Sequence, residues 1–215
     1  MTTSSEFPAG DFSDWLRAMR ATLAGHAFME VACGDCVGCC TSSLFIKVRA
    51  HEHVAMSRIG ARHLQPGPGG QGDMLMGYDE HGHCHMFANG GCSIYQDRPE
   101  TCRTYDCRVF TAAGMKAGGD EKSVINARVA RWRFSYRTDR DRAEHHAVTA
   151  AANFLRQHPV RFPGGHVPSR PGEIAVLAVK TYPVFLQPPP TDAGIASAIV
   201  EAALEFDRAA APARS

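Results

Sequence analysis

The sequence predicts a helix-rich α+β protein in which a loop-rich, cysteine-bearing module packs against C-terminal helices. Three observations support this prediction. All eight cysteines lie between positions 33 and 107 of the 215-residue chain. Apolar residues recur at helical spacing before and after this segment, and residues 43–48 inside it are rich in strand formers. We therefore expect an N-terminal helix within 1–30, the cysteine module over 31–110 and a mainly helical region over 111–215.

Helical periodicity predicts several helices outside the cysteine module. One stretch is ambiguous, because apolar residues recur at helical spacing from Ile125 through Val129 and Trp132 to Tyr136, while residues 131–137 also alternate with the period of a strand. We expect a helix there. The other predicted helices begin after an N-cap at Asp11, cover residues 148–155, span 173–182 and follow an N-cap at Thr191.

Composition and charge exclude several classes of protein. With 44% hydrophobic and 21% charged residues, the chain has the composition of a folded globular protein. Its net charge of +1 provides no general attraction for nucleic acid or for an anionic membrane. The N-terminus lacks the pattern of a secretory signal, and no apolar run reaches the roughly 18 residues of a membrane span. We therefore expect a cytoplasmic protein that does not bind membranes, in which clustered cysteines indicate metal or redox chemistry rather than disulfides.

The first cysteine group, Cys33-Gly-Asp-Cys36-Val-Gly-Cys39-Cys40, has the spacing of metal ligands. Two intervening residues let the backbone curl so that both sulfurs reach one metal centre. Gly38 suits such a curl, because glycine accepts unusual backbone angles and lets amide groups approach sulfur. Since neighbouring side chains diverge, we expect Cys39 and Cys40 to face different partners, either two metals or two irons of one cluster.

The second group is more widely spaced and consists of Cys84, Cys92, Cys102 and Cys107. Asp97 as an N-cap and Glu100 as the other half of a capping box predict a short helix that includes Cys102. If this helix continued, Cys107 would point about 140° away from Cys102. The helix must therefore end near Tyr105 if both thiolates share a site.

Two sets of arginines permit different interpretations. Thiolates around a metal leave a negative centre, and Arg98, Arg103 and Arg108 are spaced through the second group as charge compensation would require. The alternative is that these arginines lie on the surface without a role. A second arginine-rich run, 128–142, alternates with aromatic residues, as in proteins that bind single-stranded nucleic acid. Acidic residues interrupt this run, so we expect a solvated helix face and no nucleic-acid partner.

The cysteine pattern resembles the YkgJ-type cysteine-cluster proteins, a family described as a zinc- or iron-chelating domain. The resemblance rests on the first group, on Cys84 and on residues 91–107, which contain the specific pattern C-x-I-Y-x-x-R-P-x-x-C-R-x-Y. It covers 33–107 and implies metal chelation by the cysteines. A flagellin lysine methylase shares a similar cluster, so the resemblance also permits a modifying enzyme. His81, His83 and His85 depart from the family pattern around Cys84, and we prefer a solvated turn there to a histidine ligand.

The sequence therefore predicts a metal-binding protein that holds a [4Fe–4S] cluster or Zn²⁺. The successive two-residue spacings resemble the cysteine triple of ferredoxins, which favours iron–sulfur and makes electron transfer or an oxidoreductase reaction possible. If the metal is zinc, we expect a stapled structural or interaction module without catalysis. A modifying enzyme would instead require a pocket against the C-terminal helices. The candidate ligands are Cys33, Cys36, Cys39, Cys40, Cys84, Cys92, Cys102 and Cys107.

Overall fold

The computed structural model describes residues 6–29, 31, 35–68, 71–162, 167–189 and 191–210. Helices predominate, and a few short strands form small sheets, which confirms the predicted helix-rich α+β class. The chain forms two compact units, so that the predicted regions 31–110 and 111–215 each contribute to both. The helical unit comprises Met1–Ala27, Cys107–Ala117 and Val129–Ser215, and the cysteine unit comprises Phe28–Asp106 and Gly118–Arg128.

The elements are numbered in chain order. The strands are β1 (Phe7–Asp11), β2 (Ile46–Val48), β3 (Leu64–Pro66), β4 (Met74–Met76), β5 (Phe87–Ala88), β6 (Gly91–Cys92) and β7 (Trp132–Ser135). The α-helices are α1 (Phe12–Leu23), α2 (His53–Ile59), α3 (Glu100–Thr104), α4 (Arg108–Ala112), α5 (Ser123–Val129), α6 (Asp139–Gln157), α7 (Pro171–Thr181) and α8 (Asp192–Ala210). Short 3₁₀ turns cover Gly38–Thr41, Ala61–His63, Tyr95–Asp97, Asp120–Lys122, Pro159–Arg161 and Tyr182–Phe185.

The helical unit buries the apolar faces of α1, α6 and α7 around a short parallel ribbon of β1 and β7. Asp11 caps α1, as predicted, by accepting a hydrogen bond from a backbone N–H of the first turn. The helices predicted over 148–155, over 173–182 and after Thr191 are confirmed as parts of α6, α7 and α8. No helix in the described ranges is both long and apolar enough to cross a membrane.

The helix predicted to continue through Trp132 and Tyr136 is wrong beyond Val129. α5 ends at that residue, and β7 begins at Trp132. This segment forms the strand that its period-two alternation predicts, because its backbone pairs with that of β1. Trp132 is buried while Arg133 is exposed, as alternation along a strand requires.

The cysteine unit is built on a small antiparallel sheet with the strand order β2-β4-β3. The run 43–48, predicted to form a strand, does so over its second half as β2. α2 follows β2, and the hairpin of β5 and β6 follows the sheet. The buried core of the unit, which we call the module core, consists of Ile46, Val48, Ala55, Ile59, Met76 and Met86.

Candidate metal centre

Three thiols of the second cysteine group lie on one apolar surface. Cys84, Cys92 and Cys102 all pack against the module core and are half-buried. Each comes from a different local element, because Cys84 precedes the hairpin, Cys92 ends β6 and Cys102 lies in α3. The fold thus brings together sulfurs that are up to 18 positions apart in the sequence.

Cys40 joins this group from the first half of the cysteine pattern. It lies in the 3₁₀ turn Gly38–Thr41, and its carbonyl accepts a hydrogen bond from the backbone N–H of Cys84 at 2.7 Å. The N–H of Ser43 likewise donates to the carbonyl of Gly82 at 2.8 Å. These two hydrogen bonds hold the turn that includes Cys40 against the segment that includes Cys84.

The electrostatics of Cys102 agree with this proximity of the four thiols. Burial, and then the negative charges that Cys84, Cys92 and Cys40 have as thiolates, raise the pKa of Cys102 to about 12. The Arg98 guanidinium opposes this rise. The pKa of Cys84 is also raised, first by burial, although the backbone N–H of Met86 lies 3.4 Å from its sulfur and counteracts the effect. The raised pKa values favour the protonated thiols of Cys84 and Cys102 at neutral pH, and a metal would have to displace these two protons.

The hairpin that places Cys92 depends on its two-residue turn. Asn89 and Gly90 have φ angles of +52° and +76°, the left-handed conformation that a type I′ turn requires at both positions. Strand pairing then sets Phe87 opposite Cys92. The twist of this turn matches the twist of the two strands. The Asn-Gly sequence therefore fixes the register in which Cys92 pairs with Phe87.

The short helix that includes Cys102 does not have the predicted cap. Asp97 lies in the 3₁₀ turn before α3 and forms an ion pair with Arg58 at 2.9 Å. Pro99 precedes the helix and provides no side-chain cap. The capping box expected from Asp97 and Glu100 is therefore wrong, although the predicted end of the helix near Tyr105 is confirmed.

A residue distant in sequence replaces the missing cap. Glu52 is only 9% exposed, and its Oε1 accepts the backbone N–H of Glu100 at 2.7 Å. Its Oε2 accepts the N–H of Arg49 at 2.8 Å. One carboxylate therefore satisfies a free amide at the start of α3 and a second amide in the turn before α2.

The remaining cysteines of the first group are Cys33, Cys36 and Cys39, and Cys39 lies in the same 3₁₀ turn as Cys40. Cys33 is outside the described residues. The sulfur of Cys36 and the Cγ1 atom of Ile125 lie 3.5 Å and 3.2 Å from the position that a Cβ atom on Gly38 would occupy. Glycine is therefore required at this point for close packing. The seven described cysteines form no disulfide with one another.

Cys107 belongs to the helical unit. It is buried, and its sulfur accepts a hydrogen bond from the indole N–H of Trp132 at 3.2 Å. Arg108, one of the three arginines predicted to balance thiolate charge, donates to the carbonyl of Ala9 in the same unit at 3.0 Å. In the cysteine unit, Arg98 stacks on Tyr95 and acts on Cys102, whereas Arg103 stacks on Phe28.

The histidines around Cys84 lie in a turn organised by Asp79. The Oδ1 atom of Asp79 accepts the backbone N–H groups of His81 and His83 at 2.9 Å and 2.8 Å. The ring of His85 instead stacks on the ring of His63, with their centroids 4.3 Å apart. Within the described ranges, no three His, Cys, Asp or Glu side chains are already arranged to hold one metal ion.

A polar cavity of about 320 Å³ lies in the helical unit against α1, α6 and Tyr182, where the modifying-enzyme hypothesis expects a pocket. Two arginines of the run 128–142 line it and pair with acids. Arg140 binds Glu144 at 2.9 Å, and Arg137 bridges Asp11 and Asp14. These two guanidinium groups therefore have carboxylate partners within the unit.

One of three comparisons with known proteins found a match, over a range that includes most of the cysteine unit. Residues 32–127 match the CxxCxxCC family model, which is described as a "putative zinc- or iron-chelating domain". The searches of curated proteins and of solved structures found no match. The family match extends beyond Cys107 and includes nearly all of Gly118–Arg128, the second segment of the cysteine unit. This match supports metal chelation as the chemistry of residues 32–127.

Proposed function

We propose that the cysteine unit chelates a metal centre through Cys40, Cys84, Cys92 and Cys102. The observation that supports this proposal is the convergence of separate segments: Cys84, Cys92 and Cys102 pack against the module core, and Cys40 is hydrogen-bonded through its backbone to Cys84. The donor set is chemically suitable, because thiolates bind both zinc and iron–sulfur clusters. We place this chemistry in the reducing cytoplasm, where clustered thiols remain available to metals.

We favour a cluster over a single ion. Four sulfurs about 2.3 Å from one zinc ion are about 3.8 Å apart in tetrahedral geometry. No described group of three ligands has a single-ion arrangement, although the thiols are close enough to affect the pKa of Cys102. A [4Fe–4S] cluster uses four cysteines around a larger body.

A bound [4Fe–4S] cluster would supply one-electron transfer. The protein would adjust its potential through groups near the thiols. The Met86 N–H lies 3.4 Å from the sulfur of Cys84, and the positive charge of Arg98 acts on Cys102. The apolar module core limits access of water on the inner side of the site.

Zinc remains the second candidate because the cysteine unit has little regular structure to stabilise it. Its strands are two or three residues long, and its module core contains six residues. A closed four-cysteine zinc site would order such loops by joining distant segments. The protein would then be a structural or interaction module without catalysis.

Elemental analysis of the full chain after anaerobic purification distinguishes these functions. Iron with acid-labile sulfide and broad visible absorption supports the cluster, whereas a colourless protein with stoichiometric zinc supports the structural module. Cys84→Ser and Cys102→Ser should each lose this metal. Cys36→Ser is the comparison variant, and it should retain the metal if the ligands are the four cysteines proposed here. If both Cys84→Ser and Cys102→Ser retain the full metal content, the proposed ligand set is wrong.

A further inference from the structure

The polar cavity of the helical unit lies where two long helices begin. Ser13 belongs to the first turn of α1, and Arg140 belongs to the first turn of α6. The cavity volume of about 320 Å³ is at the lower end of the range of small-molecule sites, which is about 300–1,000 Å³. All the residues that line the cavity belong to the helical unit, and the family match over residues 32–127 includes none of them.

The carboxylates at this cavity are already occupied as hydrogen-bond acceptors. Both oxygens of Asp14 accept from arginine side chains. The Oε1 atom of Glu144 accepts from Arg140 at 2.9 Å, and its Oε2 atom accepts from the hydroxyl of Ser13 at 2.6 Å. Asp11 accepts the backbone N–H that it caps and one arginine side chain. A ligand that brings further donors would therefore find few free acceptors here.

The guanidinium groups, in contrast, keep unused donors. Each guanidinium has five N–H groups on three nitrogens. Arg140 uses only its Nε atom, and Arg20 uses only one Nη atom, which donates to two main-chain carbonyls of α7 at 2.8 Å each. Within the described part of the helical unit, every arginine that lines the cavity has at least one terminal nitrogen without a protein acceptor. These arginines are Arg17, Arg20, Arg137 and Arg140.

The charge at the cavity favours a negatively charged ligand. Four arginines and four acidic residues line it, so that the side-chain charges cancel. The N-termini of α1 and α6 each add about half a positive elementary charge. Tyr182 provides one more donor, because burial, and then the charge of Glu144, raise the pKa of its hydroxyl, which keeps its proton at neutral pH.

We propose that this cavity binds a small organic anion, whose carboxylate or phosphate oxygens accept hydrogen bonds from the arginines and from Tyr182. The planar guanidinium suits both groups, because it can donate two parallel N–H groups to two oxygens. Arg20 is held in place before a ligand binds, since its guanidinium lies over the rings of Tyr182 and Phe206 at 5.4 Å and 4.8 Å. The site goes beyond metal chelation and uses no cysteine.

Isothermal titration calorimetry of the full chain with succinate and, separately, with glycerol 3-phosphate tests this site. We expect saturable binding of at least one probe, and the tighter probe shows whether carboxylate or phosphate is preferred. Arg20→Gln and Tyr182→Phe should each weaken binding by about tenfold, because each removes a hydrogen bond to a charged group. Tyr182→Phe retains the ring beneath Arg20, so it removes a donor without removing this packing.

Arg156→Gln is the matched control, because it removes the same charge from the other end of α6, where the side chain is exposed. It should bind both probes as the original protein does. Three results would overturn the proposal: no saturable binding of either probe, unchanged binding in Tyr182→Phe, or an equal loss of binding in Arg156→Gln. Iron, sulfide and zinc contents of the same variants should stay unchanged and report on the thiol centre alone, so that failure of either proposal is recognised separately.

Discussion

Replacing Glu52 with glutamine tests the carboxylate that joins the start of α3 to the turn before α2. Each carboxylate oxygen accepts one backbone N–H, from Glu100 at 2.7 Å and from Arg49 at 2.8 Å. Glutamine retains one acceptor oxygen but directs an NH₂ group at the other donor. Because a hydrogen bond to a charged group contributes about 1.5–3 kcal/mol, we expect Glu52→Gln to lower the free energy of unfolding by about 2 kcal/mol.

Urea unfolding followed by circular dichroism measures this change. Glu80→Gln is the matched control, since Glu80 lies in the same unit with its side chain 87% exposed, and its substitution should leave stability within about 0.5 kcal/mol of the original value. The metal content of Glu52→Gln should also fall, because α3 includes Cys102. If Glu52→Gln unfolds at the same urea concentration as Glu80→Gln, the carboxylate of Glu52 does not stabilise the start of α3.

Three further predictions concern packing and pH. Gly38→Ala should destabilise the protein by about 1–3 kcal/mol in urea, because its Cβ would meet Ile125 at 3.2 Å. Ile125→Ala should lower the free energy of unfolding by about 2–5 kcal/mol and should also lower the metal content. If this substitution leaves the free energy of unfolding unchanged, residues 118–128 do not have a structural role. Burial lowers the pKa of His145 in the folded state from 6.5, so the unfolded chain takes up more protons below that pH. Stability should therefore fall between about pH 7.5 and about pH 5.5, and the fall should be smaller in His145→Gln.

The sequence predicts well those features that depend on local patterns. The N-cap Asp11, the stripe around Val148 and the N-cap Thr191 all depend on neighbours within a few residues. The candidate metal chemistry is also visible in the sequence, because ligand spacing and the family pattern both depend on the order of residues. The local sequence is therefore sufficient to predict these features.

Features set by distant partners could not be predicted in this way. Trp132 enters a strand because β1, more than 120 residues earlier in the chain, pairs with it. The cap on α3 comes from Glu52, while the nearby Asp97 binds Arg58 instead. Cysteine spacing likewise cannot show that Cys107 lies in the helical unit. In each case a tertiary contact overrides a plausible local signal.

The second segment of the cysteine unit, Gly118–Arg128, affects how this domain can be isolated. It contains no cysteine, yet it contributes the isoleucine that packs beside Gly38. An expression fragment that stops at Asp106 would omit that isoleucine and leave an apolar surface uncovered. A shortened chain intended for metal reconstitution should therefore extend through Arg128, with residues 107–117 retained or replaced by a flexible linker of similar length.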